Sequence, residues 1–305
     1  MATAKKSTAK TRQVKTEPYK SFRLSKRIKH QAAPLTSAFK LLKGSLRHLK
    51  KHKKIFFGIV VIYLLLTIVL VKGFGISSGV GELKTLLEEA GSLTTGFTLF
   101  AVLLTSSGSA STEEASLYQS ILLIITSLAV IWVLRQTYAG HKVTVRDAFY
   151  KGMYPLVPFL LVLAVVGLQL TPLLIGSWLY GAVIGGGIAV TGIEQAVVWS
   201  IIGLMAVWTF YMLSSSVFAL YISTLPDMTP MKALRSAREL VRHRRWAVMR
   251  KILALPVLLI VLGAVIMVPL IIFATPLAEW TFFILNMAVL AVAHSYIYAL
   301  YRELL

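Results

Sequence analysis

The chain contains no cysteine, which excludes a disulfide framework, a thiolate nucleophile and any cysteine-ligated metal, and leaves the redox compartment unreadable. Acid is scarce: 12 Asp+Glu stand against 32 Lys+Arg in 305 residues, a formal net charge of +20. Charge of either sign is missing from the interiors of six apolar stretches, where an enzyme or an ion-coupled carrier would need ionisable groups. There is no P-loop and no H-E-x-x-H zinc motif. The acidic pairs Glu88-Glu89 and Glu113-Glu114 lie outside the apolar interiors and read as solvated helix faces. These absences predict a protein that is not an enzyme and holds no metal or cofactor.

What is present is apolar. A hydrophobic fraction of 57% and a mean hydropathy of +0.75 lie outside the range of soluble globules. The uncharged stretches are Ile55–Val71, Ala115–Leu134, Gly152–Ile193, Gln195–Pro226, Ile252–Ala278 and Trp280–Tyr301. About twenty helical residues cross a hydrocarbon layer of about 30 Å, so six crossings are the simplest count. The expected fold is all-α and polytopic: three helical hairpins preceded by amphipathic segments at the membrane surface.

Charge asymmetry orients the spans, because Lys and Arg flanking a crossing stay in the cytoplasm. Six crossings put three basic segments on one side: residues 1–54 with seventeen Lys+Arg, the loop with Arg135, Lys142, Arg146 and Lys151, and the loop Lys232–Lys251 with eight. The other side receives Glu82, Glu88, Glu89, Glu113, Glu114, Glu194 and Glu279 with only Lys72 and Lys84. Both termini are therefore expected in the cytoplasm. A seventh crossing at 177–193 would invert this pattern, so that glycine-rich segment is expected to be external or re-entrant. Gly181 and Gly185 there form a small-xxx-small pair suited to close packing. The insertion 73–114 is expected outside, with Gly96–Thr105 half-inserted and Ser111 to Glu114 forming a capping box.

The basic start is too long and too rich in lysine (thirteen Lys, four Arg) for a cleaved secretory or mitochondrial leader, and it reads as an uncleaved signal anchor. Residues 1–34 are expected to be a disordered tail. It has only Tyr19 and Phe22 to stack on bases, which argues against nucleic-acid or ribosome contact. Residues 35–54 form an amphipathic pattern, with Leu35, Ala38, Phe39, Leu42, Leu46 and Leu49 on one arc and Lys40, Lys43, Arg47, Lys50, Lys51 and Lys54 on another. A second basic helix is expected over 229–250, capped by Thr229 with Pro230 at its first position.

The two basic helices align at one constant offset. Ala38-Phe39-Lys40 with Lys43, Arg47 and His48 matches Ala233-Leu234-Arg235 with Arg238, Arg242 and His243, Lys50 matches Arg245, and a fainter copy begins at Ala148-Phe149. Their basic residues can simply set topology and anchor the helices at anionic phospholipid headgroups. A sharper reading gathers Arg47, His48, Arg242 and His243 into one phosphate pocket. Inside the spans the polar candidates are Gln169, Asn286 and His294, with Asn286 and His294 roughly on one helix face.

The run Ala233-Leu234-x-x-Ala237-x-x-Leu240-Val241 followed by Arg245-Trp246 resembles the cytoplasmic helix of bacterial six-helix membrane proteins. That group includes the membrane domain attached to some glycerophosphodiester phosphodiesterases and several uncharacterised integral membrane families. The resemblance implies a six-helix fold in a bacterial plasma membrane and carries no catalytic residue. The expected function is organisation of anionic lipids or partner proteins at the cytoplasmic face. The alternative is a transporter or permease subunit for a small solute or lipid, with Gln169, Asn286, His294 and the glycine segment lining its path.

Overall fold

The computed structural model describes residues 35–72, 113–188, 191–273 and 275–305. The tail 1–34, the run Gly96–Thr105 and Ser111 of the expected capping box lie outside them. Nine α-helices and no strand occur among the described residues: α1 Ala38–Lys51, α2 Lys53–Thr67, α3 Glu113–Tyr138, α4 Val145–Gly152, α5 Leu156–Tyr180, α6 Gly192–Ile222, α7 Pro230–Val241, α8 Arg245–Phe273 and α9 Thr275–Leu304. Six of them, α2, α3, α5, α6, α8 and α9, are long and apolar enough to cross a membrane. The chain is an all-α polytopic membrane protein.

The short helices α1, α4 and α7 share one end of the bundle, which carries most of the charge and is called the basic end below. Each packs on spans rather than standing alone. Leu41, Leu42 and Ser45 of α1 are buried, with α9 as the main neighbour of that helix. Ala233, Ala237 and Val241 of α7, at i, i+4 and i+8, are all 0% exposed, with α6 as the main neighbour. Small side chains at that spacing let the two helix backbones approach closely. The apolar face of α1 therefore meets protein instead of acyl chains. Phe39 falls off that face and is 67% exposed.

Two expected boundaries are corrected. Residues 35–54 are not one helix, because α1 ends at Lys51, His52 makes a turn, and α2 starts at Lys53. Residues 229–250 likewise divide into α7 and the start of α8, separated by Arg242, His243 and Arg244. Thr229 does occupy the N-cap with Pro230 following it, although its hydroxyl makes no capping bond. The segment 177–193 is corrected too: α5 runs through Tyr180 and continues as a wider π turn over Gly181–Gly185, so this stretch mostly prolongs the third span. The connection to α6 begins with a turn at Gly186 and Gly187. A Cβ on Gly186 would sit 2.4 Å from the Ala182 carbonyl oxygen, and Gly187 has φ +70, so this turn needs glycine at both places. Among the described residues, Gly181 and Gly185 have no neighbour within reach of an added Cβ and so form no packing motif there.

Half of the most apolar window of α3 is buried against 11% of that of α6, which makes α3 the central span and α6 a peripheral one. Gly152, at the end of α4, is the closest approach to α3: a Cβ there would lie 3.1 Å from Ala129 Cα. Gly152→Leu is expected to force α4 off α3 and to cost about 1–3 kcal/mol through overpacking. Gly167→Leu, at an open position on α5, should leave the thermal midpoint in lipid nanodiscs within error. Equal midpoints for the two variants would refute the close α3–α4 contact.

Candidate lipid-facing and intramembrane sites

The structure sorts the basic candidates by environment. Lys40, Lys43 and Arg47 on α1 and Arg235 and Arg238 on α7 are exposed, as are Arg242 and His243 in the turn after α7. Arg245 is half-buried, its guanidinium 4.9 Å from the centre of the Tyr211 ring, a cation–π contact. Ion pairs among the described residues are confined to Lys151–Asp147 at 3.0 Å and Lys251–Glu303 at 3.9 Å. The exposed basic residues of α1 and α7 thus have no carboxylate partner among the described residues. Aromatic groups accompany them: Phe39, Tyr150, Tyr154 and Trp246 are all exposed at this end, as amphipathic rings are at a headgroup boundary.

Arg47 and His48 are not brought together with Arg242 and His243 by any hydrogen bond or ring contact among the described residues. Their local structures differ as well, since the first pair lies within helix α1 and the second in a turn. His48 instead points into the protein. Its ring stacks on Tyr138 at 3.9 Å and 2°, lies 4.9 Å from His52, and sits 3.0 Å from the Thr137 hydroxyl. That hydroxyl is already placed to donate to the Val133 or Leu134 carbonyl, so His48 Nε2–H is the donor to Thr137 Oγ1.

Desolvation, reinforced by the charges of His52, Lys51 and Arg302, lowers the His48 pKa to about 4, against 6.5 when free. His48 is therefore neutral at pH 7, and it is a packing group rather than a phosphate ligand. The sign of the linkage follows. The unfolded chain takes up a proton below pH 6.5 that the folded chain refuses until about pH 4, so this contribution is full above 6.5 and is lost as pH falls toward 4. Between pH 7.5 and 4.5 the thermal midpoint is expected to fall, and His48→Phe should remove part of that fall while keeping the stack on Tyr138. An identical pH slope in the variant would show that His48 does not contribute.

The stack continues inward as a chain of rings. Tyr138 lies 5.4 Å from Tyr298, Tyr298 lies 6.0 Å from Tyr221 and 5.9 Å from Tyr301, and Tyr301 lies 6.4 Å from Phe218. Arg302 covers Tyr138 at 4.5 Å. Arg135 donates to the Thr224 carbonyl at 2.6 Å, closing the C-terminal end of α6 with a cation as the helix dipole favours. A second network fastens α1 to α8 and α9: Lys251 bonds to the Thr36 carbonyl and pairs with Glu303, Thr36 Oγ1 meets the Glu303 carboxylate, and Tyr296 donates to the Lys251 carbonyl at 3.0 Å. None of these groups was singled out from sequence. Four tyrosines at three span ends were a visible signal, but sequence alone gives them the look of an interfacial belt, and only the fold turns them toward one another.

The three intramembrane candidates occupy separate places. His294 Nδ1 lies 2.8 Å from the Tyr221 hydroxyl, so it bridges α9 to α6. Gln169 is on α5, where its Oε1 is buried without a hydrogen-bond partner among the described residues; Thr209 Oγ1 on α6 is in the same condition. Both residues stand thirteen residues from the basic ends of antiparallel neighbours, 169 from 156 and 209 from 222. Asn286, on α9, is exposed. It does not join His294 in one site, which corrects the expected pairing on a single face.

Comparison of the chain with protein-family models, with characterised proteins and with solved structures gives no match.

Proposed function

We propose that this is a non-enzymatic integral membrane protein that gathers anionic phospholipids around its basic end. The observation that carries the reading is the layer of exposed Lys and Arg on α1 and α7 that has no carboxylate partner among the described residues, bordered by exposed aromatic residues. Water alone would leave such a layer self-repelling. A surface of phosphates compensates it at roughly 1 kcal/mol for each charge close to the membrane. Arg and Lys stems can snorkel from the helix flanks to those phosphates while the apolar faces stay docked on the spans. Protein partners with acidic surfaces are a further expectation of the same charge.

The positive-inside rule assigns the basic end, and with it both termini, to the cytoplasm. The resemblance of residues 233–246 to a bacterial membrane helix supports a bacterial plasma membrane. Transport of a small solute or lipid is the competing reading, and the two depend on different residues. Extraction in polymer nanodiscs followed by mass spectrometry of the bound lipid tests the first. Enrichment of phosphatidylglycerol or cardiolipin over the surrounding membrane is expected; lipid of bulk composition would overturn the reading.

A further inference from the structure

Helices α5 and α6 meet along one antiparallel seam. On α5, Phe159, Val162, Val166, Gln169 and Gly176 fall within an arc of about 100°, and on α6 so do Val198, Ile202, Thr209, Ser216 and Ala219. Gln169 and Ile202 are half-buried and the others are buried. Gly176 fixes the register, because a Cβ added there would lie 3.7 Å from Ile202 and from Met205. Seven residues from that contact toward the basic end, 176 to 169 and 202 to 209, are two turns of each helix, and they bring Gln169 opposite Thr209.

Each of these two side chains ends in a buried atom with no hydrogen-bond partner among the described residues, Gln169 Oε1 and Thr209 Oγ1. Thr209 is 0% exposed. The other hydroxyls of Ser and Thr on α6 satisfy themselves on their own helix. Ser200 donates to the Ala196 carbonyl at 2.8 Å, Ser214 to the Tyr211 carbonyl at 2.7 Å, and Ser215 and Ser216 to the Met212 carbonyl at 3.0 and 3.3 Å. Thr209 is the exception. A third polar group adjoins the pair. Pro172 lies inside α5 and has no N–H, so the Leu168 carbonyl four residues earlier lacks its ordinary intrahelical donor.

Depth makes an unmet polar group expensive. Thirteen residues from the basic ends of both helices is roughly 20 Å along the axis, inside a hydrocarbon layer of about 30 Å where bulk water offers no partner. The donors and the available space fix the occupant. Gln169 Oε1 and the Leu168 carbonyl each need a donor, and the Thr209 hydroxyl needs an acceptor. The seam is closed on one side by Gly176 against Ile202 and on the other by buried Val166, so the partner is small. A single water carries two donors and two lone pairs and makes about three bonds when buried.

We propose that one water molecule is bound between α5 and α6, donating to Gln169 Oε1 and to the Leu168 carbonyl and accepting from the Thr209 hydroxyl. It fastens the middle hairpin at a level where apolar contact between helices gains little over lipid. The site lies away from the basic end and does not depend on the function proposed above. Water-edited solid-state NMR of the full-length protein, labelled with 15N-glutamine in lipid nanodiscs, tests it. Magnetisation is expected to pass from water to the Gln169 side-chain amide, whose signal is identified by its loss in Gln169→Leu. Thr209→Val should lower that transfer about threefold, the worth of a typical hydrogen bond inside a membrane, while Thr209→Ser retains it. Unfolding in nanodiscs gives a second reading. Gln169→Leu and Thr209→Val should each lower the folding constant about threefold, and the double variant no further than either alone. A Gln169 amide that receives nothing from water while other glutamines of the chain do would overturn the proposal, as would transfer unchanged by Thr209→Val. A gain in stability from either apolar replacement would overturn it too, since that is the behaviour of a buried group with no partner.

Discussion

Replacing Lys40, Lys43, Arg47, Arg235, Arg238 and Arg242 together with Gln is expected to reduce the enrichment of anionic lipid around the protein by tenfold to a hundredfold. All six side chains are exposed and lack a carboxylate partner among the described residues, so their removal breaks no ion pair within those residues. Each is worth roughly 1 kcal/mol beside an anionic surface, but the six act on several lipids at once and salt screens them, so the effect on any one lipid is smaller than the sum. The same measurement at low and at physiological ionic strength separates the terms. Enrichment by the unaltered protein should fall as salt rises and the Debye length shrinks from about 30 Å to about 8 Å, whereas the six-fold variant should show little slope. Arg135, Lys251 and Arg302 are left out of the set because they bond to Thr224, pair with Glu303 and cover Tyr138 respectively. If the variant keeps its anionic lipid, the exposed charges serve topology alone.

Phe218→Ala is expected to destabilise the fold by about 3–5 kcal/mol, while Leu204→Ala, on the same stripe of α6, should change stability by less than about 0.5 kcal/mol. Phe218 is fully buried where α6 meets α9, within the large core that also holds Leu128, Val133, Tyr296 and Leu300. Removing its ring leaves a cavity whose walls are themselves held by ring contacts with Tyr301 and, through it, Tyr221 and Tyr298. Leu204 is mostly exposed, so its truncation opens no cavity. In the bilayer it exchanges one apolar contact for another. Thermal unfolding in nanodiscs, read by loss of near-ultraviolet signal from the buried tyrosines, checks both. Comparable losses for the two variants would mean that α6 is gripped along its whole length.

The contrast between these positions shows where sequence reading stops. Residues 204 and 218 are both apolar residues of one uncharged stretch, and at the level of hydropathy nothing separates them. Likewise Asn286 and His294 looked equivalent as lone polar groups in the last span. The fold gives His294 a tyrosine partner and leaves Asn286 exposed. His48 looked like the partner of His243 because both follow an arginine at one offset. One sits in a helix against Tyr138, the other in a turn, because α1 continues past the point where α7 has ended.

What the amino-acid sequence determined by itself was the six long apolar helices found among the described residues and the gathering of their basic segments at one end. Both rest on a single large energy difference, between apolar and charged groups in hydrocarbon, which acts residue by residue and needs no knowledge of neighbours. What only the tertiary structure decided was which face of each helix meets protein. Inside a bilayer an apolar side chain gains little by turning from lipid to another helix, so hydropathy carries almost no record of the choice, and shape complementarity with a few hydrogen bonds makes it instead. That is why Ala233, Ala237 and Val241 are buried against the spans, and why four tyrosines converge at the basic end.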